Sequence, residues 1–213
     1  MEQRPATSDN GARGSAELWL NAAREALLDG GIDAVKILPL AKRLGLSRTS
    51  FYWFFRDRGQ LLEALIGLWR EKNTGSLAKR ADAYAESVAE AMLNVFDCWI
   101  DNDLFDSRFE FAMRSWALQS PSILAEIRDA DHRRITALTG MFRRFGHDEG
   151  SADVRARTVY LTQIGYITMQ EQEDLPARMP RMANYVAIFT GQAPEQRELD
   201  RFFARHGYSE TVP

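Results

Sequence analysis

Apolar residues recur every three or four positions along most of the chain, which is the spacing of one buried face of an α-helix. The strict alternation of apolar and polar residues that is typical of a half-buried strand is not evident. The pattern therefore predicts an all-α fold. Helix caps and helix breakers predict long helices at about residues 16–29, 58–72, 81–100, 104–118, 122–145, 152–172, 176–191 and 194–205.

The segment between the first two of these helices predicts two shorter helices joined by a tight turn. Leu40, Ala41 and Leu44 have the spacing of a buried stripe on the first short helix. Gly45 suits the left-handed residue that ends a helix, and Ser47 suits the N-cap of the next one. This layout indicates a helix-turn-helix, whose second helix enters the major groove of DNA.

The second helix of this motif has two different sides. At about 100° per residue, Phe51, Phe54 and Phe55 fall together and can pack on the first helix. Groups that can bind phosphates or base edges are offered by Arg48, Thr49, Ser50, Tyr52 and Trp53. The alternative is that the five consecutive aromatic residues form a buried plug inside an ordinary helical bundle.

Charge favours the DNA-binding interpretation over the aromatic plug. Residues 36–58 contain six basic residues and one acidic residue, so Lys36, Arg56 and Arg58 join the candidate DNA contacts. Residues 1–80 carry a net charge of +4 and residues 81–213 a net charge of −7, within a total of −3. A basic end on an acidic body suits a nucleic-acid surface, because neutralising phosphates supplies most of the non-specific affinity for DNA.

Several runs of residues, in this order and spacing, resemble the N-terminal domain of the tetracycline-repressor (TetR) family. These runs are Trp19–Leu27, Gly30–Gly31, Leu40–Ser47, Ser50–Arg58 and Leu61–Leu62, and the resemblance covers about residues 15–65. The family consists of dimeric one-component transcription regulators, most of them repressors with a C-terminal domain that binds a small molecule.

The resemblance implies roles for individual residues of the motif. Arg48, Thr49, Tyr52 and Trp53 match recognition-helix positions that contact DNA, Tyr52 matching a phosphate-bound tyrosine, and Arg58 matches a basic residue that grips the DNA backbone. The chain departs from the family at Lys36–Pro39, because Lys36 has no oxygen with which to cap a helix. Leu38 cannot read a base by hydrogen bonding, so we expect the second helix to carry most of the readout.

The residues and the resemblance together indicate three regions. We expect a disordered N-terminal arm at residues 1–14, a three-helix DNA-binding domain at residues 15–57, and a helical effector-binding and dimerisation domain at residues 58–213. The helix that begins near residue 58 links the two domains, so a tilt of this helix would move the recognition helix.

Large apolar side chains in the second domain suit a cavity for a small, largely apolar effector. The candidate ligand-binding residues are Trp69, Phe96, Trp99, Phe109, Met113, Trp116, Phe142, Gln163 and Tyr166. Asn94 and Arg114 are further polar candidates, although Arg114 can equally pair with Asp131 or Glu110. The alternative for any one of the apolar residues is ordinary core, since periodicity does not separate core from pocket.

Two predicted helices near the C-terminus suit a homodimer interface built from the same surface on both subunits. The candidate dimerisation residues are Val154, Leu161, Gly165, Thr168, Met182, Val186 and Phe189. Gly165 costs up to about 1 kcal/mol against alanine inside a helix, which suggests close packing there. That packing can also lie within one subunit.

Catalytic and metal sites find little support in the sequence. The three histidines are far apart, no phosphate-binding glycine loop is present, and the one cysteine, Cys98, has the apolar context of a buried residue. No run of 18 apolar residues predicts a membrane span. We therefore expect a cytoplasmic protein that is not an enzyme and needs no cofactor or metal.

The sequence as a whole predicts a homodimeric transcription regulator that binds a palindromic operator in double-stranded DNA. We expect a repressor that a small, largely apolar ligand releases from DNA. An activator or a regulator without a ligand is the alternative within this class. A helical enzyme or a protein-interaction bundle is the alternative from another class.

Overall fold

A computed structural model describes residues 14–209 of the chain, so the arm expected at residues 1–14 lies outside this range apart from Gly14. Within the range the chain forms helices and connecting turns, without a strand. The α-helices are α1 (Ala16–Gly30), α2 (Ile37–Leu44), α3 (Arg48–Phe51), α4 (Arg58–Trp69), α5 (Ser76–Asp82), α6 (Val88–Ile100), α7 (Ser107–Ala117), α8 (Pro121–Arg144), α9 (Glu149–Met169), α10 (Leu175–Arg178), α11 (Met182–Thr190) and α12 (Gln196–Arg205).

The chain divides into two compact units, one ending at Trp69 and the other beginning at Arg70. Helix α4 packs against α1 and therefore belongs to the first unit. The sequence instead predicts this helix at the start of the second domain, from residue 58. None of the helices in the described range is long and apolar enough to cross a membrane.

The first unit is a small helical domain built around an aromatic centre. Ser15 caps α1 by accepting a hydrogen bond from the Leu18 amide. Trp19 on α1 is fully buried and meets the edge of Phe51, with ring centroids 5.2 Å apart. Leu61 of α4 is also buried. These contacts fix α3 from behind, which leaves its other side available at the surface.

The second unit has a hydrophobic core to which α5, α6, α8, α9, α11 and α12 contribute. The helix predicted at 81–100 begins only at Val88, because α5 ends at Asp82 and Ser87 caps the new start by accepting a hydrogen bond from the Glu90 amide. Cys98 is fully buried in this core, as its context predicted. Burial raises the pKa of the Cys98 thiol to about 12.

A group of charged and polar side chains also lies inside the second unit. We call this group the buried network; its members are Asn73, Thr74, Glu110, Arg114, Asp131, Arg134 and Tyr160. Arg134 donates to both carboxylate oxygens of Glu110, at 2.8 and 3.0 Å. It also donates to Thr74 Oγ1 and to the Tyr160 hydroxyl, each at 2.9 Å. Glu110, Thr74 and Tyr160 thus accept hydrogen bonds from the guanidinium of Arg134, which is fully buried.

Arg114 and Asn73 extend this network to neighbouring elements. Arg114 donates to Glu110 at 2.9 Å and pairs with Asp131, so its structural interpretation is confirmed. Asn73 donates to Glu110 Oε2 at 3.0 Å from a π-helical turn, Arg70–Gly75, which follows α4 directly in the chain. Burial alone would raise the pKa of Glu110, but the charge and hydrogen bonds of Arg134 outweigh burial and lower the pKa to about 2.

Candidate nucleic-acid interface and ligand cavity

The turn between α2 and α3 has the geometry that its sequence predicts. Gly45 is left-handed, with φ 66° and ψ 25°, and the Leu46 amide donates to the Ala41 carbonyl at 2.9 Å. This bond satisfies a carbonyl at the end of α2. Ser47 then caps α3 by accepting a hydrogen bond from the Ser50 amide at 3.2 Å. Helix α2 therefore ends at a glycine suited to a C-cap, and α3 begins after a serine suited to an N-cap.

Helix α3 and the turns that follow it divide their aromatic residues between core and surface. Phe51 and Phe55 are buried, whereas Trp53 is 65% exposed and Tyr52 is 46% exposed. Thr49 is also exposed. The aromatic run is therefore neither wholly buried nor wholly exposed, because its two ends are buried and Tyr52 and Trp53 between them are exposed. The helix itself is only four residues long and continues into turns.

Two residues expected to contact DNA are turned inward. Ser50 is buried, and its hydroxyl donates to the Ser47 carbonyl at 2.8 Å. Arg58 donates to the carbonyls of Val35 and Ile32, at 2.5 and 2.9 Å. Those carbonyls precede α2, so the Arg58 guanidinium braces the start of the motif. Two of its five N–H donors are thereby used within the unit, which limits how far the guanidinium can reach toward a phosphate.

The remaining basic candidates lie at the surface. Arg48 donates to the Tyr52 hydroxyl at 3.0 Å and lies over that ring, with its guanidinium carbon 5.8 Å from the centroid. Lys36 is exposed at the N-cap of α2, where no side-chain hydrogen bond caps the helix. Arg56 is exposed and pairs with Asp57 at 3.0 Å. This surface therefore offers cations beside an exposed aromatic and a hydroxyl.

A cavity in the second unit lies between α6, α9, α11 and the segment that joins α9 to α11. Its lining residues are Phe96, Trp99, Ile100, Val159, Thr162, Gln163, Tyr166, Glu173, Arg178, Arg181, Met182, Tyr185 and Phe189. Its volume is about 40 Å³, enough for a few water molecules. The structure thus brings together four of the predicted ligand-binding residues: Phe96, Trp99, Gln163 and Tyr166.

The other predicted ligand-binding residues do not line this cavity. Phe109, Met113 and Phe142 are fully buried, and Trp69 lies in the first unit. Trp116 is half-buried on α7 and is also absent from the lining. These apolar residues lie elsewhere because helical spacing identifies a buried face but does not reveal which buried face borders a void.

Sequence reasoning missed the charged part of the cavity. Glu173, Arg178 and Arg181 lie on the segment from Gln170 to Arg181, which we call the α9–α11 strap. Arg181 pairs with Glu173, and Arg178 donates to the Trp99 carbonyl at 3.0 Å. The hydroxyls of Tyr166 and Tyr185 lie 2.7 Å apart. The sequence does contain a signal for this part of the cavity: Arg178 and Arg181 lie close together in a connection that contains prolines.

The predicted dimerisation residues divide into an exposed set and a buried set. Met182, Val186 and Phe189 of α11 are buried in the core of the second unit, so the prediction that they face a partner is wrong. They pack inward because α11 lies against α6 and α9. The exposed apolar residue of α11 is instead Ile188, at 72%.

Helix α9 does present an apolar stripe at its surface. Val154 and Leu161 are exposed, and they share a face with Thr158, Gly165 and Thr168 at alternating spacings of four and three residues. The threonine hydroxyls donate to carbonyls four residues earlier, at 2.8 and 2.7 Å. Their donors are thereby satisfied, so this face mainly offers methyl groups and a glycine.

Comparison with known proteins agrees with the geometry of the first unit. A family model described as bacterial regulatory proteins, tetR family, matches residues 20–65. The tetracycline repressor protein class A from transposon 1721 of Escherichia coli is 35% identical over 63 residues, which are 30% of this chain and 29% of the relative. The HTH-type transcriptional regulator BetI of Ectopseudomonas mendocina is 28% identical over 130 residues, 58% of this chain and 65% of the relative. Both matches span less than two thirds of the relative's length.

Solved structures extend the likeness of fold over nearly the whole chain. A transcriptional regulator from Rhodococcus sp. Rha1 superposes with a TM-score of 0.58 at 16% identity, covering 94% of this chain and 100% of that one. A TetR-family regulator from Mesorhizobium loti gives a TM-score of 0.56 at 11% identity, covering 93% and 98%. At these identities the likeness concerns the fold alone. The helix-turn-helix region, residues 20–65, thus matches the tetR family of bacterial regulatory proteins in sequence, and the all-α fold of nearly the whole chain resembles that of a TetR-family structure.

Proposed function

We propose that this chain is a transcription regulator that binds a specific sequence in double-stranded DNA. The observation that carries the proposal is the division of α3 and the turn after it, with Phe51 held in the core while Thr49, Tyr52 and Trp53 stay at the surface. A recognition helix needs one face packed in the core and a polar and aromatic face exposed, because base contacts require fixed side-chain positions.

Individual surface residues suit different contacts. Arg48 can bind a guanine edge or a phosphate, Thr49 can donate to a base or pack on a thymine methyl, and Trp53 can pack against bases or sugars. Tyr52, Lys36 and Arg56 suit the phosphate backbone. Ser50 and Arg58 hold the motif together in this proposal, since both are bonded within the first unit.

The proposal includes a homodimer that reads a palindrome. One short helix covers few base pairs, and two recognition helices about 34–36 Å apart would read both halves of a site. The α9 stripe from Val154 to Thr168 supports the dimer, because it is apolar, flat at Gly165 and free of unsatisfied hydroxyl donors. Replacing Gly165 with glutamate would place a charge in this face and separate the subunits.

We propose further that the regulator is a repressor and that a small molecule in the second-unit cavity releases it from DNA. The cavity supports this because it combines aromatic walls with a few polar groups, as ligand sites do. Release requires only that occupancy favour a conformation in which the two recognition helices no longer match the operator. Such coupling is typically worth about 1–3 kcal/mol.

The decisive experiment is selection of bound duplexes from a random pool, followed by affinity measurements on the selected and a scrambled duplex over a range of salt concentrations. We expect wild type to prefer the selected duplex and its affinity to fall steeply with salt. Arg48→Ala should cost about 1–3 kcal/mol on the selected duplex and relax one position of the preference.

Lys79→Ala is the matched control, because it removes one exposed positive charge from α5, far along the chain from the motif. It should leave both affinities unchanged. Equal binding of wild type to selected and scrambled duplexes would refute sequence-specific recognition, and the helical enzyme or protein-interaction bundle would then be preferred.

A further inference from the structure

The polar wall of the second-unit cavity carries an excess of positive charge. Two arginines and one glutamate line it, and Glu173 pairs with Arg181. Arg178 donates to the backbone carbonyl of Trp99, and among residues 14–209 no carboxylate forms an ion pair with it. The charge of Arg178 therefore remains without a directly paired anion in a partly buried place.

Two further observations indicate an unmet demand for an anion there. Burial lowers the pKa of Arg178 below its ordinary value, although Glu173 acts in the opposite direction. The Nε atom of Arg181 is buried and finds no acceptor within the described part of the chain. A buried donor without an acceptor and a poorly compensated cation both cost free energy, which a bound anion would recover.

The lining of the cavity also includes a cluster of aromatic side chains. Tyr185 and Phe189 are stacked with ring centroids 5.8 Å apart, and the Phe96 ring meets Phe189 edge-on at 6.2 Å. Trp99 lies beside Phe96, with centroids at 5.6 Å. Such faces and edges favour a flat, apolar partner, because aromatic rings pair best in offset or edge-to-face arrangements.

We propose that this cavity binds a small monocarboxylate with an apolar, ring-sized body. The carboxylate lies on the guanidinium of Arg178, with Arg181 as a second cation in the lining, and the ring lies against Phe96, Tyr185 and Phe189. A guanidinium and a carboxylate are matched in shape and charge, which gives specificity as well as affinity. The proposal rests on the ligand-regulated function above and names the class of its effector.

The size of the cavity adds a requirement for movement. A volume of about 40 Å³ is too small for a ring with a carboxylate. The α9–α11 strap can supply the space, because most of its residues are exposed and Met179 is its one buried side chain. Outward movement of the strap would carry Arg178 with it, so binding and the strap's position are coupled.

The test uses matched probes that differ in charge and share their ring. Phenylacetate and cinnamate are titrated into the full-length protein, each beside its neutral amide, with phenethylamine as the cationic counterpart, and binding is followed by calorimetry and tryptophan fluorescence. We expect at least one carboxylate to bind at least about tenfold more tightly than its amide, since a hydrogen bond to a charged group contributes about 1.5–3 kcal/mol. Phenethylamine should bind more weakly still.

Arg178→Gln should abolish the preference for carboxylate over amide, whereas Arg178→Lys should retain part of it. Arg128→Gln removes an exposed arginine of α8 and should change nothing. Circular dichroism and thermal melting verify that each variant is folded. A wild-type protein that binds amide as well as carboxylate, prefers the amine, or binds no carboxylate at millimolar concentration overturns the proposal. These titrations contain no DNA, so their failure is distinguishable from failure of operator selection.

Discussion

Two arginines of the second unit are buried to different degrees and balanced in different ways. Arg134 donates to Glu110, Thr74 and Tyr160 and is fully enclosed. Arg178 is half-buried at the cavity, where its hydrogen bond goes to a backbone carbonyl. The first arrangement is complete without any other molecule, whereas the second is where we propose that an anion binds. In this proposal the balance of charge around the guanidinium, and not burial alone, separates a structural arginine from a binding one.

The sharpest way to break this comparison is to remove each charge while keeping side-chain volume. Arg134→Met should lower the free energy of unfolding by about 3–5 kcal/mol, because it leaves Glu110 buried without its main partner. Arg178→Met should change it by less than about 1 kcal/mol. Urea denaturation measures both, with the exposed Arg133→Met as control. Equal losses in the free energy of unfolding for Arg134→Met and Arg178→Met would show that the two arginines contribute equally to stability.

Acid should affect the buried network through Glu110. Its pKa is lowered in the folded protein, so its contribution to stability is present above its ordinary value of 4.5 and is lost as pH falls from there toward about 2. Stability of wild type should therefore decline over that interval more steeply than stability of Glu110→Gln. Denaturation at a series of pH values measures the two slopes, and parallel curves would contradict the lowered pKa.

Two tyrosines of α9 give the smallest and most closely matched comparison. Tyr160 belongs to the buried network and donates to Asp131 at 2.6 Å, whereas Tyr166 pairs with Tyr185 at the cavity. Tyr160→Phe should cost about 1–3 kcal/mol, because it leaves charged partners short of a hydrogen bond. Tyr166→Phe should cost less than about 1 kcal/mol. Thermal and chemical denaturation can rank the two losses of stability. A larger loss for Tyr166→Phe than for Tyr160→Phe would contradict the comparison.

Much of the first unit follows from its sequence because its signals are local. Gly45 and Ser47 act within one turn, and the phenylalanine spacing of α3 reports which side is buried. Ser50 and Arg58 were assigned to DNA because their side chains are polar and match the motif. Their inward bonds depend on Ser47, Val35 and Ile32 carbonyls, whose positions a one-dimensional pattern does not contain.

The second unit is less predictable because its site depends on distant contacts. Phe142 and Phe96 are both buried helical phenylalanines, yet only Phe96 borders the cavity. On α11, Met182, Val186 and Phe189 were predicted at a dimer surface and lie in the core. A stripe at helical spacing indicates that one face is covered, but the covering surface can belong to the same subunit or to another.

The burial of Cys98 has a consequence for the chemistry of the native protein. Thiolate is the reactive form of cysteine, and a pKa of about 12 leaves almost none of it at neutral pH. Because this is the chain's one cysteine, thiol reagents and oxidants have no other sulfhydryl to modify. Modification requires that α6 first open to solvent, so the rate of thiol labelling measures the rate at which the core of the second unit opens.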